Sequence, residues 1–299
     1  MPHRERAAIL AQLDPPFHVF AAERRTSPFV FCSPHSGRVY PDILLEQSRL
    51  DPLALRKSED GYVDALFRHV AGGGAPLIAA AFPRAYLDVN REPYELDPEL
   101  FDGPLPDFAN AQSVRVVGGL GTIARIVADG EEIYRRRLSV EQGLVRIELL
   151  YKPFHAALAA LLEETRATFG YAILIDCHSM PSASSNLGPG GRPDFVIGDR
   201  FGASCDVRLT RFTRDVLTGL GYDVQLNRPY AGGFITEHYG RPARRFHALQ
   251  LEINRGLYLD EATMLPTAAF AELERHLAIL TRRLFKEMPQ LFERRMAAE

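Results

Sequence analysis

Cysteine is scarce, and what there is does not pair. The chain holds three, Cys32, Cys177 and Cys205, an odd count with no CxxC among them. That excludes a disulfide framework and a thiolate zinc site, so any metal must be held by imidazole and carboxylate. An excess of either charge is missing too. The net charge of −3 leaves no electrostatic footprint for nucleic acid or an anionic membrane. No stretch approaches the roughly 18 apolar residues of a membrane span. No apolar segment follows Met1-Pro2-His3-Arg4-Glu5-Arg6, so no signal peptide is read and a cytoplasmic location is expected. Gly118-Gly119-Leu120-Gly121-Thr122 fits neither common nucleotide-binding glycine pattern. Without a repeat or a composition shift, residues 1–299 are read as one catalytic domain, with 1–27 as a wrap along its edge.

What remains is an ordinary globular composition, 46% apolar and 24% charged over 299 residues, enough to bury a large core. Ala172-Ile173-Leu174-Ile175 is a buried strand in prospect, and it runs straight into Asp176-Cys177-His178. Phe29-Val30-Phe31-Cys32 repeats the pattern and ends in Ser33-Pro34-His35-Ser36-Gly37-Arg38, where Pro34 and Gly37 force a loop. Asp51-Pro52 opens a helical segment, one helix or two short ones, broken at Ser58-Glu59-Asp60-Gly61 and stopped by Gly72-Gly73-Gly74. Residues 76–82 read as a strand. So do 83–91, whose alternation places Arg84, Asp88 and Asn90 on one side, and 125–127. Between them, 92–113 is an irregular excursion.

Ser139 and Gln142 form a capping box that starts helix down to Phe169, with Pro153 as a kink or break. Residues 179–193, dense in Ser, Gly and Pro, suit a lid loop. Strands are expected at 194–198, 222–226 and 248–255, and helices at 206–219 and 265–287. In the last strand Leu249, Leu251 and Ile253 share one face and Gln250, Glu252 and Asn254 the other. A carboxylate on a core strand must be paired or have its pKa raised by desolvation. Alternating elements of this kind imply an α/β sheet covered by helices on both faces.

In such sheets chemistry collects beyond the carboxyl ends of the strands. Those ends carry His35, His178 and Glu252, with Glu59 and Asp60 in the inventory. Catalytic zinc takes three protein ligands, often two His and one carboxylate, while a separate carboxylate moves protons. His35, His178 and an acid from 59–60 meet the first requirement, and Glu252 the second. Asn90 and Arg91 would hold an anionic end of the substrate through charge-assisted bonds. The competing nucleophile, Cys177, adjoins His178 in an extended strand, so the two side chains point to opposite faces, and Cys177 is read as structural. A metal-free binder of acidic ligands is the non-enzymatic alternative; the cost of burying Glu252 without a role argues against it.

Ser33-Pro34-His35-Ser36-Gly37-Arg38, Tyr86-Leu87-Asp88-Val89-Asn90-Arg91, Asp176-Cys177-His178-Ser179-Met180 and Leu251-Glu252-Ile253-Asn254-Arg255 together resemble the N-formylglutamate amidohydrolase family. The resemblance runs in order from about residue 17 to 260 and places the chain near zinc carboxypeptidases and aspartoacylases. It implies a mixed, mostly parallel sheet between helices. It also implies zinc-dependent hydrolysis of an N-acyl amino acid, N-formyl-L-glutamate to formate and L-glutamate, as in histidine breakdown. Another N-acyl amino acid or a small peptide is the alternative substrate. By the same resemblance His35 and His178 are ligands, Glu252 is the general acid/base and Asn90-Arg91 grips the substrate carboxylate. Arg38 stands where those relatives place the ligand glutamate of His-x-x-Glu, so the third ligand comes from elsewhere, and Asp60 fits the family pattern better than Glu59. Arg84 joins Glu252 among the catalytic candidates. Arg125, Arg255 and His238 join the substrate-binding set, and Arg192 is a further candidate for a second substrate carboxylate.

Overall fold

Residues that alternate in type build the sheet, and the register of that sheet sets the site. The computed structural model describes residues 2–127, 130–182 and 193–296. Seven strands are numbered along the chain: β1 Phe17–Phe20, β2 Phe29–Ser33, β3 Leu77–Ala80, β4 Ala172–Met180, β5 Phe195–Gly198, β6 Val224–Leu226 and β7 Phe246–Asn254. They form one sheet in the order β1-β3-β2-β4-β7-β5-β6. β2 with β4, β4 with β7 and β5 with β6 are parallel, while β5 and β7 are antiparallel. The mixed, mostly parallel α/β sheet is as expected.

By density of internal contacts the chain divides into two units. One comprises Met1–His18, Pro34–Gly61 and Ala79–Leu158; the other comprises Val19–Ser33, Tyr62–Ile78 and Ala159–Glu299.

Within the second unit, Phe29, Phe31, Ile173, Ile175, Cys177, Phe195, Ile197, Leu249, Leu251 and Ile253 belong to one apolar cluster. Successive strand residues point to opposite faces, so this every-second-residue set is a single face of the sheet. Three helices cover it: Val63–Phe67, Val207–Gly219 and Phe270–Met296. The last presents Leu273, Leu277, Leu280, Leu284 and Met288, a stripe at helical spacing. It starts at Phe270 and runs through Pro289, later at both ends than the expected 265–287, because Leu265–Pro266 pairs instead with Leu259–Asp260. Asp206 caps the helix Val207–Gly219 by accepting from the Arg208 backbone N–H.

The first unit opens with helix Pro2–Gln12. Its Glu5 is buried against Arg146 of the helix Val140–Arg146, which the Ser139–Gln142 capping box starts. That helix continues through a π turn, Ile147–Tyr151, into helix Lys152–Phe169. Residues 83–91 are turns rather than a strand, and 125–127 contributes only an isolated bridge, Ile126 to Glu132. Of the lid expected over 179–193, residues 183–192 lie outside the described residues, Arg192 among them. No described helix is long and apolar enough to cross a membrane.

Candidate metal and substrate site

The face of the sheet opposite the apolar cluster is polar at its carboxyl end. Asp176 and His178 alternate with the core residues Ile175 and Cys177, so both rise from this face. β4 and β7 pair with Asp176 beside Gln250 and His178 beside Glu252. His178 is 3% exposed, Glu252 7% and Asp176 fully buried. His178 Nε2 lies 3.0 Å from Asp176 Oδ1, and Thr236 donates to Asp176 Oδ2 at 3.1 Å. Gln250 accepts the Gly233 backbone N–H at 2.7 Å on Oε1 and donates through Nε2 to Glu252 Oε1 at 2.9 Å. The first bond orients the amide, so its N–H side must face the carboxylate. Arg255, buried just past the strand, donates from Nε to Ser179 Oγ at 3.1 Å.

Cys177 takes the other face, as strand geometry requires. Burial pushes its thiol well above the ordinary value, helped by the Asp176 charge, and Sγ bonds the Ile175 carbonyl. A nucleophile needs a thiolate and a base. Cys177 has neither.

His35 sits in the loop after β2. That loop requires a glycine at 37, since a Cβ there would fall 2.2 Å from the Phe82 carbonyl oxygen. The ring is held at Nε2, 2.7 Å from Asp88 Oδ1, and its Nδ1 lies 3.4 Å from Asp60 Oδ2. The Asp60 backbone N–H also donates to the His35 carbonyl at 3.0 Å. Glu59 turns elsewhere. It accepts the Tyr40 hydroxyl at 2.6 Å and the Arg56 Nε–H at 3.3 Å. Burial raises its carboxyl, with Tyr40 and Arg56 acting in the opposite sense.

Asp88 collects charge. Arg84 Nη2 donates to its Oδ2 at 2.8 Å, Arg91 Nη2 stands 3.5 Å from the same oxygen, and the Asn90 backbone N–H donates to Oδ1 at 2.8 Å. Burial alone would raise this carboxyl, but the Arg91, His35 and Arg84 charges hold it well below the usual carboxylate range. Desolvation in turn brings Arg91 down to about 10. The Arg91 guanidinium also donates to the Leu120 and Asn90 carbonyls, each at 2.9 Å.

Among the described residues, one group of His, Cys, Asp and Glu could hold a metal ion. It is His35, Asp60 and His178, all buried. The donor set suits zinc: two imidazoles and one carboxylate. Each histidine has a carboxylate at Nε2, Asp88 or Asp176, the outer partner that orients ligating imidazoles. Asp88 and Asp176 lie inside the sequence motifs but drew no metal-site role. Asp176 had a readable signal, since residues two apart on a strand share a face.

The remaining candidates are more dispersed. Arg125 is engaged by Asp97 at 2.8 Å, Glu99 at 3.0 Å and Glu132 at 3.6 Å. His238 is exposed on the helix Phe234–Tyr239, stacked on Phe234, with its pKa lowered by desolvation and Arg241.

The model of the N-formylglutamate amidohydrolase family matches residues 27–259. A protein of Pseudomonas aeruginosa named N-formylglutamate deformylase is 32% identical over 277 residues, covering 90% of this chain and 94% of the relative. Its namesake in Pseudomonas putida is 32% identical over 241 residues, 78% of this chain and 82% of the relative. The crystal structure of N-formylglutamate amidohydrolase from Ralstonia eutropha JMP134 superposes with a TM-score of 0.86 at 37% identity, covering 91% of this chain and 97% of that one. Match length and identity leave no ambiguity: the chain belongs to the N-formylglutamate amidohydrolase family.

Proposed function

We propose that this protein is a zinc-dependent amidohydrolase that cleaves N-formyl-L-glutamate to formate and L-glutamate. The observation that carries the reading is the donor set of His35, Asp60 and His178, two imidazoles and one carboxylate, all buried. Relatives named for this activity share about a third of their residues with the chain over most of their length. Zinc in such a set lowers the pKa of a water to about 7 and polarises an amide carbonyl.

The chain's own groups do the rest. Glu252, beside His178 in the register, is assigned as general acid/base: it accepts a proton from the attacking water and delivers it to the leaving amine nitrogen. Gln250 donates to Glu252 Oε1 and so orients the carboxylate for proton transfer. Arg84, tied to Asp88, is assigned to the negative charge that develops on the formyl oxygen. Asn90 and Arg91 take a substrate carboxylate, with Arg255 and His238 as further contacts. Arg125 is left out, because Asp97, Glu99 and Glu132 already neutralise it.

The test is a screen of zinc-loaded protein against N-formyl, N-acetyl and formimino amino acids. N-formyl-L-glutamate should give the highest kcat/KM, with formate released in equal amount to glutamate. Preference for an acetyl or uncharged substrate would overturn the assignment.

A further inference from the structure

The segment Asp88–Arg91 carries site residues but no regular secondary structure, so its backbone groups need partners from elsewhere. Side chains supply them. His155 Nε2 is 2.8 Å from the Val89 carbonyl oxygen, Arg91 Nη1 donates to the Asn90 carbonyl at 2.9 Å, and the Tyr151 hydroxyl donates to the Arg91 carbonyl at 2.7 Å. Three carbonyls in a row are each held by a side chain. Since a carbonyl oxygen only accepts, His155 must carry its proton on Nε2.

Two of those three donors lie one helical turn apart. Tyr151 ends the π turn, and His155 follows four residues on, with ring centroids 4.3 Å apart. The wide turn has a local cause in Pro153, whose ring would crowd the carbonyl four residues back in a regular α-helix and which has no N–H to give it. A π turn shifts the register of all that follows, and such turns recur at functional sites. Here the shifted register brings Tyr151 and His155 onto the 89–91 backbone.

We propose that Tyr151 and His155 are positioning residues for the Asn90–Arg91 pair, fixing the two flanking peptide planes so that the Arg91 guanidinium meets an anionic substrate group. This rests on the assignment of Arg91 above. Arg91 is anchored on the Asn90 carbonyl, so rotation of a neighbouring peptide plane moves the anchor and the guanidinium together.

The test compares zinc-loaded wild type with Tyr151→Phe, His155→Ala and His155→Gln. Each is assayed on N-formyl-L-glutamate and on its uncharged diamide, and L-glutamate affinity is measured by calorimetry. Tyr151→Phe and His155→Ala should raise KM for the charged substrate about tenfold with kcat within about twofold, the signature of lost ground-state binding. Glutamate affinity should weaken by the same factor, the diamide should be unaffected, and His155→Gln, which offers an amide N–H, should recover most of the loss. Equal losses on both substrates, unchanged KM, or no recovery with Gln would overturn the proposal. Should His155→Ala fail to fold, Tyr151→Phe, which removes one oxygen, decides alone. A wild type that binds glutamate but hydrolyses nothing would sink the deformylase reading, while the ratio of variant to wild-type affinity still decides the positioning role.

Discussion

His178 and Glu252 are register partners on adjacent parallel strands, so a metal-ligand candidate and the acid/base candidate rise side by side from one face of the sheet. Glu252 is not among the three residues proposed to hold the metal. The two roles are therefore separable by substitution. Glu252→Gln keeps the shape and should leave zinc stoichiometry intact while kcat falls by about a hundredfold or more. Metal analysis and steady-state kinetics on one preparation measure both. Full activity would remove Glu252 from the mechanism.

The adjacent acids Glu59 and Asp60 make a matched pair for metal affinity. Asp60 Oδ2 faces His35 at 3.4 Å, whereas Glu59 is bonded to Tyr40 and Arg56. Asp60→Asn should weaken zinc binding more than Asp88→Asn, whose loss of an outer carboxylate is worth about 10- to 100-fold. Glu59→Gln, which can still accept from Tyr40, should weaken it least. Competition against a chelating dye gives the order. A Glu59 effect larger than that of Asp60 would reassign the third ligand.

All three cysteines are buried, and burial raises the thiols of Cys32 and Cys177 far out of the reactive range and that of Cys205 to about 12. Iodoacetamide at pH 8 should leave the native protein unlabelled and active, while a strong chelator abolishes activity. Stoichiometric labelling at Cys177 with loss of turnover would revive a thiol mechanism.

How far the residues themselves announced this arrangement differs from segment to segment. β7 was legible because Leu249, Leu251 and Ile253 point into the core and the polar residues between them do not. Residues 83–91 look equally periodic, yet Ala85, Leu87, Val89, Asp88 and Asn90 are all at most 4% exposed. Alternation of residue type there reflects a buried polar site wrapped by turns, not a strand with a wet face. The helix Pro2–Gln12 escaped for a related reason: its inward positions are Glu5 and Ile9, and a buried glutamate reads as a surface residue until its partner is known. Nor could composition mark the two contact units, because each is assembled from three separated stretches. The metal site was legible because His35 and His178 end apolar strands. Asp60 was preferred to Glu59 on the family pattern alone; the Tyr40 hydrogen bond that engages Glu59 is encoded in no local pattern.

Glu5 and Arg146 make the last prediction, one of sign. Both are fully buried, 2.6 Å apart, with Tyr86 and Gln142 also donating to Glu5. Burial alone would raise the Glu5 carboxyl, but the Arg146 charge and the hydrogen bonds from Tyr86, Arg146 and Gln142 hold it below its ordinary value. A group depressed in the native state stabilises the fold above its unfolded pKa, about 4.3 for Glu, and loses that contribution as pH falls through the native value. Removing Arg146 alone reverses the sign. In Arg146→Met the carboxyl keeps its desolvation but loses its cation, so its native pKa rises above the unfolded one. Stability is then fullest below about 4.3 and lost as pH rises through the native value. At pH 7 the variant should be about 3–5 kcal/mol less stable than wild type, the cost of an unpaired buried charge. Its deficit should shrink on acidification toward pH 5, and adding Glu5→Gln should flatten the dependence. Urea unfolding from pH 4 to 8 reads all three; parallel curves for wild type and Arg146→Met would show that Glu5 does not titrate against Arg146.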